Sequence, residues 1–320
     1  MKAKQHIPKA LRYTVNQFNA DFPDDEACFQ CIKEQRFPDG MAQCANCKCQ
    51  RKHYRVTGRT AFACDHCGNH IYPLAGTIFE KTTTPLRLWF YAMYLMASTR
   101  CGISAKQIQR ETGVTYKTAW RMFRQIRTLL GESITLEGSS VEADEMYYGG
   151  RRKYGTGRPM RGDKTKTPVL GLVERGGKVV ALAVDDVKGS TILGNIREHV
   201  LPATMIFTDE LKAYEGIKHM PGKGYQHRRI KHSAGVYVRG NVHTNTIEGF
   251  WSLVKRGIGG VYHAVSQKYL QSYLDEYTYR YNRRDRGNLI FHDVLAEAGK
   301  AMRKPSVPVH KTPPETEVPF

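Results

Sequence analysis

The sequence is poor in several things at once. No stretch approaches the roughly 18 consecutive apolar residues that a bilayer-spanning helix needs, which argues against an integral membrane protein. The opening MKAKQHIPKALRYTVNQFNADF has no apolar segment of the secretory kind, so a cytoplasmic protein is expected. No internal repeat is visible, which excludes a solenoid or propeller. Acids are scarce: 30 Asp and Glu face 49 Lys and Arg, for a formal charge of +19 over 320 residues. A surplus of that sign calls for a polyanionic partner, nucleic acid before an anionic membrane surface. The length allows two or three domains with a sizeable core. Only the end of the chain, KPSVPVHKTPPETEVPF, is compositionally biased, and residues 299–320 are expected to be a disordered proline-rich tail.

Cysteines are few as well, 8 in all, and a disulfide framework is not how they are arranged. Cys44 and Cys47 (CANC) and Cys64 and Cys67 (CDHC) form two C-x-x-C pairs with 16 residues between them, inside the window for a four-thiolate zinc ribbon. The segment between the pairs alternates like a β-hairpin. A structural Zn²⁺ closed by four thiolates leaves no open coordination position, so this metal is expected to hold structure and do no chemistry. Cys28 and Cys31 also have C-x-x-C spacing, but they fall in a helix opened by Asp24 or Asp25, where packing is the expected role. Cys49 stays open as a competing ligand, and Cys101 reads as a core residue. The ribbon is expected over residues 18–80.

Residues 81–132 read as helical. Thr84 and Pro85 open a helix, TPLRLWFYAMYLMAS, that is apolar nearly all round and therefore buried. A short helix from Ser104, a turn at Gly113 and a longer helix from about Thr115 follow, a helix-turn-helix pattern. Ile103, Ile108, Val114, Ala119, Trp120, Phe123 and Ile126 face inward on this reading. That leaves Tyr116, Lys117, Thr118, Arg121, Arg124 and Gln125 outward, able to touch phosphates and base edges, although any helical hairpin turning on Gly imitates the pattern.

From residue 135 to 298 the texture is mixed α/β. Three β-rich segments, a helical crossover and an apolar strand ending at Asp209 suggest a mixed sheet. Asp144 lies late in the first strand and Asp209 at the end of the fourth, where side chains leave a sheet into a crevice. Glu248 sits in the helix HTNTIEGFWSLVKRGI, with Lys255 about two turns beyond it on the same face. Carboxylates converging from two strands and a helix suit a pair of divalent cations, Mg²⁺ or Mn²⁺, for phosphoryl transfer. Each acid alone also has an ordinary reading, Asp209 as a helix cap and Asp144 as a surface acid beside Glu142 and Glu145. The basic loop GGRRKYGTGRPMRGDKTKT, with Arg151, Arg152 and Lys153, and the segment carrying Arg228, Arg229, Lys231 and Arg239 are candidate phosphate contacts, as is Arg256. His232 and His243 make no firm metal pair. In QKYLQSYLDEYTYRYNRR, Leu270, Tyr273, Leu274, Tyr277 and Tyr281 read as core, with Arg280, Arg283 and Arg284 as further DNA candidates.

The two cysteine pairs, AGTIFEKTTTPLRLWF, VEADEMYYGG, FTDELKAY, HTNTIEGFWSLVKRGI and YLDEYTYRYNRR together resemble bacterial insertion-sequence transposases of the acidic-triad (DDE) type, in the ISXO-like group with an N-terminal zinc ribbon. They run in family order from about residue 20 to 285. The resemblance implies a ribonuclease H-like catalytic domain, with Asp144, Asp209 and Glu248 as the three acids and Lys255 as the base beyond the third. It also implies strand cleavage at insertion-sequence ends, joining of the 3′ hydroxyl to target DNA, double-stranded DNA as partner, and a homodimer or larger synaptic assembly working at the nucleoid. A non-catalytic DNA-binding regulator and a nuclease that cuts without joining are the competing readings.

Overall fold

The computed structural model describes residues 8–99, 101–149, 166–230 and 243–300. The basic loop with Arg151, Arg152 and Lys153, the segment with Lys231, His232 and Arg239, and the proline-rich tail lie outside them. The chain divides into two compact units, one of residues 29–83 with the chain from 298 on, the other of residues up to 28 with 84–297.

Helix α1 (Val15–Asp21) opens with a reciprocal capping box between Thr14 and Gln17. Helix α2 (Asp25–Arg36) is capped by Asp24, whose carboxylate accepts from the N–H of Ala27 at 2.8 Å. Cys28 is buried within it and Cys31 half-buried.

In the first unit, β1 (Met41–Gln43), β2 (Gln50–Arg55), β3 (Phe62–Cys64) and β4 (His70–Ile71) form an antiparallel sheet in chain order. Its two cysteine turns are built alike. Lys48 donates to the carbonyl of Cys44 at 2.9 Å and Gly68 to that of Cys64 at 3.1 Å. Both donors sit in the left-handed region, at φ 56° and 69°, which bends the chain back so that two thiols face one point.

The second unit begins with α3 (Leu86–Ser98), whose Trp89, Phe90, Ala92 and Met93 are fully buried. Its cap differs from the expected one: the N-cap position is Pro85, whose side chain makes no capping bond. The carboxylate of Asp25 accepts from the N–H groups of Leu86 and Arg87 at 3.1 and 2.9 Å, so a residue distant in sequence satisfies the first turn. Helix α4 (Ala105–Thr112) is capped by Ser104 and ends at Gly113, φ 72°. Helix α5 (Tyr116–Arg127) is capped by Thr115. Ala119, Met122, Phe123 and Ile126 form its buried stripe, with Trp120 only half-buried; Lys117, Arg121 and Arg124 are exposed. Cys101 is half-buried and not a core residue.

Strands β5 (Ser140–Tyr148), β6 (Thr167–Glu174) and β7 (Val179–Ala183) form an antiparallel meander, and α6 (Gly189–His199) then crosses to β8 (Met205–Thr208) and β9 (Gln226–Arg229). The sheet order is β7-β6-β5-β8-β9, with β8 parallel to β5 and β9 parallel to β8. Strand β9 was not expected from sequence; its polar run QHRR occupies a sheet edge, where one side needs no apolar cover. Val141, Ala143, Leu170 and Leu172 pack on one face with Ile192, Ile196 and Tyr214. Met146, Val169 and Val173 pack on the other, beneath α7 (Asn245–Gly257) and α8 (Gln267–Asn282). A π-helical turn, Ile258–Tyr262, follows α7, and α9 (Ile290–Ala298) ends the described chain.

Candidate active site

Register brings the two aspartates together. The parallel pairing of β5 with β8 ends at Ala143 opposite Thr208, so Asp144 and Asp209 are the next residues on two neighbouring strands. Asp144 is not late in its strand as expected: β5 runs four residues further, to Tyr148, because its antiparallel pairing with β6 continues after β8 has stopped. An acid in mid-strand is thereby left beside an open sheet position. Carboxylate oxygens of Asp144, Glu145 and Asp209 all lie within 4.8 Å of one another.

Glu145, not singled out from sequence as a ligand, joins this group. It points to the opposite face from Asp144, and the buried Tyr214 hydroxyl donates to it at 3.0 Å. Glu248 is outside the three-carboxylate group. It is exposed near the start of α7, and Thr244 donates to its carboxylate at 3.0 Å. Its charge still reaches Asp144, whose carboxyl is pushed up to about 6 by burial first, then by Asp209, with Glu248 adding and hydrogen bonds from Trp251 and the Glu145 backbone opposing. One oxygen of Asp209 accepts from the N–H of Leu211 at 2.9 Å, so the ordinary cap-like role coexists with membership of the acidic group.

Three further residues shape the site. Trp251 Nε1 donates to Asp144 at 3.0 Å, from the face of α7 that meets the sheet. Gly171 is opposite Asp144 in the β5–β6 register, and a Cβ there would lie 2.4 Å from the Trp251 ring. Glu142, fully buried, accepts from the N–H groups of Thr246 and Ile247 at 2.8 and 3.1 Å and from Arg175 at 2.8 Å. A carboxylate on the first turn of a helix satisfies its orphan amides and its positive dipole end. Glu142 therefore ties the start of the Glu248 helix to the strand of Asp144. A glycine inside the apolar run TPVLGLVE was the available signal for a close approach; nothing local marks Glu142, because its partners on α7 are 104 and 105 residues away and Arg175 is 33 away.

The other expected contacts divide. Lys255 and Arg256 are exposed at the far end of α7, with Arg256 bonded to Ser252 at 3.0 Å. Arg124 lies over the rings of Trp120 and Tyr269, 5.7 and 5.6 Å from their centroids, and Arg121 lies 6.0 Å from that of Trp89. Arg228 is exposed on β9; Arg229 pairs with Glu215 at 3.3 Å and donates to the carbonyl of Glu210. Arg280, Arg283 and Arg284 bind within the fold, to Glu276, Glu132 and the carbonyls of Gly176 and Gly177, with Arg284 exposed as well.

In the ribbon, the sulfurs of Cys44, Cys47, Cys64 and Cys67 lie within 4.8 Å of one another. Cys44 to Cys67 is 3.5 Å and Cys47 to Cys64 is 3.9 Å, bracketing the about 3.8 Å between thiolates at about 2.3 Å from a tetrahedral zinc. Cys49 is exposed and outside the set.

Residues 135–282 match the ISXO2-like transposase domain family, and residues 23–70 match the transposase zinc-ribbon domain. An uncharacterized protein in transposable element ISH50 of Halobacterium salinarum is 29% identical over 275 residues, 78% of this chain and 91% of that protein. An uncharacterized transposase-like protein of Haemophilus influenzae is 29% identical over 105 residues, 33% of this chain and 81% of its own length. Among solved structures, the Mos1 strand transfer complex overlaps 62% of this chain and 74% of its own at 12% identity and a TM-score of 0.29, a likeness too slight to carry an argument.

Proposed function

This chain belongs to the insertion-sequence transposases of the ISXO2-like, zinc-ribbon-bearing group, and from that premise we propose that it cleaves insertion-sequence ends and joins them to target DNA. The carrying observation is the register that sets Asp144 and Asp209 side by side where β8 ends. A mixed sheet with an antiparallel meander, two parallel strands and an acid-bearing helix over it supports a ribonuclease H-like catalytic domain. On this reading Asp144, Asp209 and Glu248 are the acidic triad.

The donor set fits a hard divalent ion: all ligands are carboxylate oxygens, and a cation would offset the burial and the neighbouring acid charge that raise Asp144. Bound Mg²⁺ or Mn²⁺ would polarise the phosphate and acidify the attacking hydroxyl. Trp251 fixes the orientation of Asp144, Thr244 that of Glu248, and Glu142 the helix carrying Glu248. Lys255 grips the strand next to the scissile phosphate. In the first step water oxygen bonds to phosphorus and the 3′ oxygen leaves, taking a proton. In the second that 3′ oxygen attacks a target phosphate and expels a target 3′ oxygen.

The exposed Lys117, Arg121 and Arg124 of α5 support double-stranded DNA binding through a helix-turn-helix formed by α4 and α5, with Arg228 and Arg256 as added phosphate contacts. Arg151, Arg152 and Lys153 retain the same proposed role from sequence alone. Structural zinc in the ribbon is supported by the four converging sulfurs. Paired ends call for a dimer or larger assembly. No helix among the described residues is long and apolar enough to cross a membrane, and the working compartment is the cytoplasm.

The test incubates purified protein with labelled end DNA and a target plasmid, with and without Mg²⁺. Wild type should give cleaved and joined products only with Mg²⁺. Asp144→Asn, Asp209→Asn and Glu248→Gln should each bind the ends and make no product; full activity in any one removes that residue from the site. Binding without cutting in wild type, on correct ends, would leave a DNA-binding regulator.

A further inference from the structure

The zinc-ribbon sheet turns one face inward and the other to solvent. His53, Phe62 and Cys64 are buried on the inner face. Paired residues share a face, and Met41 pairs with Lys52, Tyr54 with Ala63 and Ala63 with His70. Met41, Lys52, Tyr54, Ala63 and His70 therefore line the outer face. Tyr72 continues on the same side as His70, its ring centroid 6.3 Å away at a steep angle.

This outer face is unusually aromatic for exposed surface. Tyr54 is 57% exposed, Tyr72 53% and Met41 43%. Single exposed apolar groups are ordinary, whereas several on one small sheet face mark an interaction surface. The Lys52 ammonium lies 5.7 Å from the Tyr54 ring centroid, so positive charge is held against one of the rings. Ala63, with its short side chain, separates Tyr54 from His70 by two strand spacings, about 9–10 Å, leaving a shallow trough between aromatic walls.

Charge narrows the occupant. From Met41 to Tyr72 the chain has Lys48, Arg51, Lys52, Arg55 and Arg59 against Asp65 as its sole acid. Arg51 pairs with Asp65 at 3.0 Å, and Arg55, though exposed, lies over Phe29 on the inner side; Lys48, Lys52 and Arg59 are exposed. Exposed rings beside cations suit a strand whose bases are free to stack and whose phosphates need neutralising. Paired DNA keeps its base faces inside the duplex and offers them only at its ends.

We propose that this face binds an unpaired DNA strand, with Tyr54 and Tyr72 stacking on bases and Lys52 on a phosphate. The inference rests on the transposase reading, in which strands are freed at the element's ends, and assigns the ribbon to those ends while the helical segment holds the duplex.

The experiment uses the full chain in a Glu248→Gln background, so that no strand is cut, and measures fluorescence anisotropy on three labelled probes: a single strand, a duplex with a splayed tip and a blunt duplex. Tyr54→Ala and Tyr72→Ala should each weaken binding to the single strand and splayed tip by roughly ten-fold or more, with blunt-duplex affinity and zinc content unchanged. Tyr54→Phe should bind like the parent, because the ring remains. Lys52→Ala should flatten the single-strand salt dependence by about 0.7 in log–log slope, whereas the tyrosine variants should leave that slope alone. Parental affinity for unpaired probes in both alanine variants overturns this inference and leaves the transposase reading standing, as does a change confined to oligomeric state, which would make the face a protein interface. A parent that binds no probe overturns both.

Discussion

An alanine at position 171 would set its Cβ 2.4 Å from Cζ2 of Trp251 and 2.7 Å from Cδ1 of Ile247. Both atoms belong to the packed layer between α7 and the sheet, and the indole is rigid. Overpacking of this kind costs about 1–3 kcal/mol. Its sharper consequence is chemical, since the displaced indole is the group that donates to Asp144. Gly171→Ala is expected to lower the melting temperature modestly and to slow end cleavage ten-fold or more with end binding intact, read from thermal denaturation and single-turnover cleavage. Cleavage at the wild-type rate would mean that the indole does not orient Asp144. This residue was half legible: a glycine in an apolar strand announces that something approaches, but not what. Glu142 was named only as one surface acid among three. Its 0% exposure and its grip on α7 emerge from the pairing of segments distant in sequence.

At the scale of elements, α5 is fastened to α8 by a buried ionic cluster. Glu276, 0% exposed, accepts from Arg127 at 2.8 Å and from Arg280 at 2.9 Å, and Arg127 is 4% exposed. The Tyr262 hydroxyl adds a bond at 3.2 Å. Breaking one side of a buried pair strands the remaining charge, at about 3–5 kcal/mol. Glu276→Gln should therefore cause a large drop in chemical-denaturation midpoint, and a near-wild-type midpoint would show that the cluster contributes no net stability.

The edge pair β8–β9 has a titrating contact of its own. His227, buried on β9, meets the Thr208 hydroxyl at 2.9 Å, and burial, with Arg229 and Lys218 adding, pulls its imidazole down to about 4. A base held below its unfolded value, about 6.5, adds stability that is present above pH 6.5 and is lost as pH falls toward 4. Asp144 and Asp275, both raised to about 6, act in the opposite direction over the same range, so the comparison must be with a variant. Relative to wild type, His227→Gln should gain in melting temperature as pH falls from 6.5 to 4.5; a constant difference would sink this assignment.

For the whole molecule, the two units answer to different forces. Residues 29–83 have a small set of buried groups, among them Phe29, Phe62, Ile78 and Phe79, and a four-cysteine cluster. Structural zinc in so small a unit supplies folding free energy directly. Chelation should accordingly abolish hydrogen-exchange protection in β1–β4 while β5–β8 stay protected; retention of protection in the ribbon would show that it folds without metal. The sequence by itself determined what short-range spacing can encode: the two cysteine turns, the helices around Gly113, the basic face of α5 and the identity of the candidate acids. Helix caps, C-x-x-C turns and hydrophobic periods are local, so a linear reading reaches them. Tertiary structure alone decided which acids meet. Parallel pairing of β5 with β8 joins residues 65 positions apart, and it brought Glu145 into the group while leaving Glu248 beyond it. It also decided what Arg283 and Arg284 hold, Glu132 and the carbonyl of Gly176, which no sequence window contains, whereas Arg280 meets Glu276 one helical turn away. Strand register and ion pairing are settled by long-range contacts, whose energies appear only once the chain has closed on itself.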